Sequence, residues 1–135
     1  MQTLTIRTHH THEMLEITHE VQARLAQLDL ADGALLIYVP HTTAGVTINE
    51  NADPSVQRDM LADLARLIPR KQPYYEHREG NSASHLLASL MGSSALVPVE
   101  AGRLALGTWQ GIYLCEFDGP RTRRVFLQPL GMAHG

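Results

Sequence analysis

Cysteine is nearly missing from this 135-residue chain: Cys115 stands alone. No intramolecular disulfide can form, and a reducing compartment is expected. A basic excess is also missing, with a formal net charge of −3 and an isoelectric point near 6.2. That balance argues against a general nucleic-acid binder, which would carry a basic stripe. No apolar run approaches the about 20 residues of a membrane span, and the opening MQTLTIRTHH lacks the apolar core of a secretory signal. A cytoplasmic location is therefore expected, with neither nucleic acid nor membrane as partner. There is no G-x-S-x-G elbow, Walker loop or Rossmann glycine fingerprint. Linkers, low-complexity tracts and internal repeats are absent too, which predicts one domain over residues 1–135.

What is present predicts an α+β domain. Residues 2–7 alternate polar and apolar, as a half-buried strand does, and 14–17 suit a second short strand. Thr18 is placed to cap a helix with Val21, Leu25 and Leu28 at helical spacing. After an Asp32-Gly33 turn, residues 34–39 are too uniformly apolar for an edge and predict a central strand. Asp53-Pro54 marks a helix start, with Val56, Met60, Leu64 and Leu67/Ile68 as its apolar stripe and Pro69 as its stop. Residues 69–81 have no periodic pattern. Ser82 is expected to cap a short helix carrying Leu86, Leu87 and Leu90, closed by Gly92. Stretches 95–99, 103–109, 112–117 and 124–128 then suit strands, with turns at 100–102, 110–111 and 118–120. That spacing predicts an antiparallel meander. Antiparallel sheet should dominate, with two or three helices packed on it.

Three polar blocks interrupt this plan: 41–51, 77–85, and 107–111 together with 115–121. Polar loops held at strand ends by a rigid sheet are where function usually sits. Eight histidines stand out in the composition. His41, at a strand end, can meet His77 and His85, which flank the Gly80-Asn81-Ser82 turn. Three neutral imidazoles with an open fourth position form a zinc-type site, and a helix N-terminus at His85 disfavours imidazolium. A hydrogen-bonded structural histidine is the plain alternative at each position. His9, His10, His12, His19 and His134 are expected to be ordinary surface residues.

The Gly80 turn and the helix start after it offer backbone N–H groups to an anion, with Asn81 and Ser82 beside them, although capping alone also explains those two residues. Arg121, Arg123 and Arg124 suit either a phosphate clamp or a solvated strand face. Glu50, Glu79 and Glu116 are candidate acid/base or metal-supporting carboxylates. Thr42, Thr43 and Asn51 are candidate substrate contacts, and Trp109 a candidate pocket wall. Cys115, among Tyr113, Leu114 and Phe117, suits a small buried hydrophobe.

The blocks 41–54, 77–85 and 102–121, in this order, resemble the YjbQ family, named for secondary thiamine-phosphate synthase activity. The likeness spans roughly residues 3–128, with 129–135 as a local extension, and Ala83 stands where the family often has Asp. The resemblance implies an α+β fold with antiparallel sheets, a homotrimer, and a His-rich metal site near a subunit boundary. The reaction it implies joins a pyrimidine methyl diphosphate to a thiazole phosphate. Catalytic roles fall to His41, Glu50 and Glu116, and substrate binding to Thr42, Thr43, Asn51, Gly80, Asn81, Ser82, Trp109 and Arg121. His41, His77 and His85 are then the metal ligands. Imidazoles favour zinc, whereas a diphosphate substrate favours magnesium. A small metal-dependent hydrolase or lyase, and a non-catalytic metal- or ligand-binding trimer, stand as alternatives.

Overall fold

Alternating burial along the strands builds two sheets that face each other across one core. The computed structural model describes residues 1–132, so the expectation for His134 lies outside the described residues. The elements run β1 (Gln2–Arg7), β2 (Glu13–Glu16), α1 (Thr18–Leu25), β3 (Asp32–Tyr38), β4 (Ala44–Glu50), α2 (Ser55–Leu67), α3 (Ser82–Met91), β5 (Ser94–Glu100), β6 (Arg103–Leu104), β7 (Gln110–Glu116) and β8 (Thr122–Met132). One antiparallel sheet has the order β1-β8-β3-β5-β6 and the other β2-β7-β4. The fold class is α+β, as expected.

Leu4, Leu35, Ile37, Val97, Val99, Val125 and Leu127 project from the larger sheet onto Val46, Ile112 and Leu114 of the smaller one, with Ile17, Val21 and Leu25 beside them. The far face of the smaller sheet packs Tyr113, Cys115 and Phe117 against Leu87 of α3 and Leu61 and Leu64 of α2. β7 is therefore covered on both faces, which explains its nearly unbroken apolar run. The outer face of the larger sheet is apolar yet uncovered in the single chain. Tyr38 stacks on Phe126 at 6.4 Å, and Leu96 and Leu130 are exposed beside them.

The strand order corrects the meander. Only β5 and β6 are neighbours as that plan requires; β7 crosses to the second sheet, and β8 inserts between β1 and β3. Local turn signals cannot specify such non-local pairing. The stretch 103–109 is strand only at Arg103–Leu104, and Gln110-Gly111 opens β7 instead of turning. β4 was unanticipated because its run is broken by polar residues and Gly45. Gly45 is needed there: a Cβ would meet the Gly92 carbonyl at 2.7 Å, where Val46 N–H already bonds Gly92 O. The supposed extension at 129–132 instead completes β8, pairing with residues 32–35 of β3.

The helix signals were partly displaced. Ile17 and Asn81 hold the N-cap positions expected for Thr18 and Ser82, without side-chain caps. The Thr18 hydroxyl donates to Glu16 and accepts from Ile112 N–H. Of the expected α2 stripe, Leu64 and Ile68 pack partly buried together with Leu61, which lay outside that stripe, and Leu67 is exposed.

Both sheets are joined at one end by a buried ion pair. Arg123 Nε donates to Glu116 Oε1 at 2.9 Å, and its Nη2 reaches Glu116 Oε2 and Thr43 Oγ1 at 2.8 Å. Thr8 O–H and Asp118 N–H complete the carboxylate at 2.7 and 3.0 Å. Burial pushes the Glu116 carboxyl up, but these donors outweigh it and hold the group below its ordinary value.

Removing one partner should be costly. Glu116→Gln strands a buried guanidinium, an expected loss of about 3–5 kcal/mol in urea unfolding at pH 7. Replacing both, with Glu116→Leu and Arg123→Met, should cost less than either single change. Because the folded value is depressed, this contribution is complete above the ordinary 4.5 and lost as pH falls below it. A Glu116→Gln protein as stable as the parent would refute this assignment.

Candidate functional site

The connections at the ion-pair end of the sheets border two adjoining grooves. One, of about 460 Å³, lies between the 41–44 segment and α3, with His41, Thr42, His85 and Ser89 on its walls. The other, of about 310 Å³, is bordered by Thr42, Thr43, His77, Glu79, Asn81, His85, Asp118 and Arg121. Thr42 and His85 belong to both, so the grooves form one continuous surface.

His77, from the 69–81 connection, meets His85 of α3 edge to face, ring centres 5.4 Å apart. The Glu79 carboxylate lies 3.9 Å from His77 Nε2. His41 Nε2 accepts the Arg124 backbone N–H at 2.9 Å. A neutral imidazole accepting there carries its proton on Nδ1. Burial first, then the Arg123 and Arg124 guanidiniums, push the His41 pKa below its ordinary value of 6.5. Within the described residues no group of three His, Cys, Asp or Glu side chains stands ready to hold a metal ion. Two of the three expected imidazoles adjoin; the third is engaged by backbone.

Asp118, which sequence reasoning passed over as a turn residue, organises the second groove. It accepts from Asn81 Nδ2 at 2.9 Å, Arg121 Nη2 at 2.8 Å and Arg70 Nη2 at 3.3 Å. Burial raises its carboxyl, and these donors more than reverse that, leaving it below its ordinary value. Its signal in the sequence was its place in the third polar block, between Glu116 and Arg121. Ser82, Ala83 and Ser84 open α3, a ten-residue helix. Its first N–H groups and Arg121, half exposed and paired with Asp118, border the same groove as the Glu79 carboxylate.

Several expected site residues belong elsewhere. Glu116 is fully buried and saturated by its donors, so its role is to position the groove, not to exchange protons with a ligand. Arg123 is likewise consumed by Glu116 and Thr43. Glu50, Asn51 and Trp109 lie at the opposite end of β4 and β7, where Glu50 pairs with Gln110 and Ala44 with Glu116. Six residues of strand separate the two ends, roughly 20 Å. There Asn51 bonds Glu16 and the Trp109 carbonyl, and the Trp109 ring is 65% exposed, so it walls no part of the histidine grooves. Gly111 is favoured at that end, since a Cβ would fall 2.8 Å from Asn51 Cβ, an atom held close to the backbone. A third cavity, about 470 Å³, opens there beside Glu16, His19 and Glu20. Among the other histidines, His9 N–H bonds Glu13, and His12 packs edge-on against Phe117.

The fold and grooves together define a class: a small two-sheet α+β protein with a histidine-bordered cleft beside a helix N-terminus. Residues 2–132 match the family described as UPF0047 protein YjbQ-like, and the chain belongs to that family. It is 53% identical to UPF0047 protein YugU of Bacillus subtilis, over 97% of this chain and 99% of that protein. With UPF0047 protein MJ1081 of Methanocaldococcus jannaschii the identity is 46%, over 93% and 91%. Among solved structures, a YjbQ/UPF0047 family protein from Clostridium acetobutylicum superposes with a TM-score of 0.91 at 47% identity, covering 95% of this chain and 98% of that one. The match extends through the end of β8, beyond the residue-128 limit expected from the motifs.

The His41 geometry is directly measurable. In nitrogen-edited NMR, His41 should be neutral at pH 7, protonated on Nδ1, and should titrate below 6.5. An Nε2-protonated ring, or a midpoint above that value, would contradict the Arg124 contact.

Proposed function

We propose that this chain acts on a phosphorylated small molecule in the histidine cleft, as a transferase of the thiamine-phosphate synthase type. The observation that supports this most directly is the convergence of the α3 N-terminus and Arg121 on a groove shared with His77 and His85. In the proposed reaction the methylene C–O bond of the pyrimidine methyl diphosphate breaks and diphosphate departs with the electron pair. The thiazole nitrogen then forms the new C–N bond, giving thiamine phosphate. Helix N–H groups and the Arg121 guanidinium meet the charge that builds on the departing oxygens. Thr42 and Thr43 border the same groove and in this proposal help orient the acceptor.

A divalent metal, zinc by the imidazole donors, is held in this proposal by His77 and His85, with His41 as third ligand once Arg124 N–H is released. When bound, it would supply charge neutralisation for phosphate oxygens; magnesium accompanying the diphosphate would do the same. A second reading, a metal-dependent hydrolase, is favoured by one observation: residues 76–80 along the cleft are exposed, leaving water free to enter. In the same proposal the uncovered face around Tyr38, Leu96 and Phe126 is buried in a homotrimer.

Two experiments test this. The purified protein with both phosphorylated halves should form thiamine phosphate above a no-protein control. Arg121→Ala should slow product formation about tenfold or more, while His77→Ala and His85→Ala lose zinc in titration. Turnover of simple phosphoesters with no thiamine phosphate would favour the hydrolase instead. In light scattering the parent should run at three times its 15.0 kDa chain mass, and Leu96→Glu should lower that mass. A parent protein of single-chain mass would end the trimer proposal.

A further inference from the structure

A residue on the border of the second groove carries a buried polar atom that the chain itself leaves unanswered. Asn81, at the start of α3, borders the groove and is only 4% exposed. Its Nδ2 donates to Asp118 Oδ2 at 2.9 Å, and Asp118 is held in turn by Arg70 and Arg121. That chain of contacts fixes the carboxamide's orientation, because the flipped amide would set oxygen against carboxylate. Asn81 Oδ1 then faces away from Asp118 as an acceptor, buried and with no donor among the described residues. Nor does it cap its own helix. Buried acceptors are nearly always satisfied, so an orphan beside a groove calls for a partner from outside.

The neighbouring donors say what else that partner carries. The backbone N–H groups of Ser82 and Ala83 make no hydrogen bond among the described residues, and the helix dipole favours negative charge there. The dianion of a phosphate monoester would satisfy these groups and still leave Oδ1 unmatched, since its phosphate oxygens are all acceptors.

We propose that Asn81 is a specificity-determining residue: it selects, among phosphorylated small molecules, those with a hydroxyl or amino donor close to the phosphate. The α3 N-terminus holds the phosphate, and Asn81 Oδ1 accepts from the donor. This rests on the phosphate reading above and deepens it by naming the ligand class.

Calorimetric titration of the full chain with inorganic phosphate, propyl phosphate and 2-hydroxyethyl phosphate tests the inference. The two esters differ only in a terminal methyl against a hydroxyl. The parent should bind the hydroxyethyl ester about five- to tenfold tighter than the propyl ester. Asn81→Ala should bring the ratio of the two affinities to one, its melting temperature reporting whether it folds. In the parent, the Asn81 side-chain amide resonances should shift with the hydroxyethyl ester and not with the propyl ester, which keeps the test decisive if the variant does not fold. Equal affinities in the parent, or a preference that survives Asn81→Ala, would overturn the role of Asn81 and leave phosphate binding intact. If none of the three binds, inorganic phosphate included, the phosphate reading itself fails and this inference with it.

Discussion

The buried pair of Arg123 and Glu116 is the constraint on which the rest of the site depends. Both side chains are almost wholly removed from water, and a charge in that position is tolerable only when its partner and further donors surround it. The carboxylate's donors are Thr8 after β1, Asp118 N–H after β7 and Arg123 on β8, and Thr43 before β4 accepts from the Arg123 guanidinium in turn, so the partners come from the ends of four different segments. Satisfying one carboxylate therefore brings the ends of both sheets together.

The cleft follows from that meeting point. Thr43, held by Arg123, fixes the short connection that carries His41 and Thr42. Arg124, next along β8, presents its N–H to His41. On the other side, Asp118 N–H is fixed by Glu116, and the Asp118 side chain gathers Asn81, Arg70 and Arg121. A single buried ion pair thus orients groove residues from three connections without facing the groove through its own carboxylate. Such a role separates Glu116 from the acid/base candidates, although chemically it looks like one of them.

The same geometry divides residues that appear together in the sequence. Residues 41–51 read as one polar block, yet β4 carries its two ends roughly 20 Å apart. His41 belongs to the cleft; Glu50 and Asn51 belong to the opposite end with Glu16 and Trp109. Arg124 connects the cleft to the outer sheet face, because its guanidinium lies 5.6 Å above the Phe126 ring, which stacks on Tyr38. Anything that covers this face touches the strand that sets the His41 contact.

Periodicity and composition by themselves determined the α+β class, the three helices to within a turn, the central place of residues 34–39 and the clustering of polar chemistry near His41, His77 and His85. Those features are local: apolar spacing, proline and glycine punctuation, and polar runs at element ends act over a few residues. Only the tertiary structure decided that β7 leaves its neighbours for a second sheet, that β8 threads between β1 and β3, and that Glu116 is a buried anchor while Asp118 and Asn81 face the cleft. These outcomes depend on pairing between residues as far apart as Thr8 and Glu116, and on which carboxylate a buried guanidinium meets. No periodicity along the chain records such encounters, because they exist only once two-sided burial of β7 and charge pairing at its end are satisfied together.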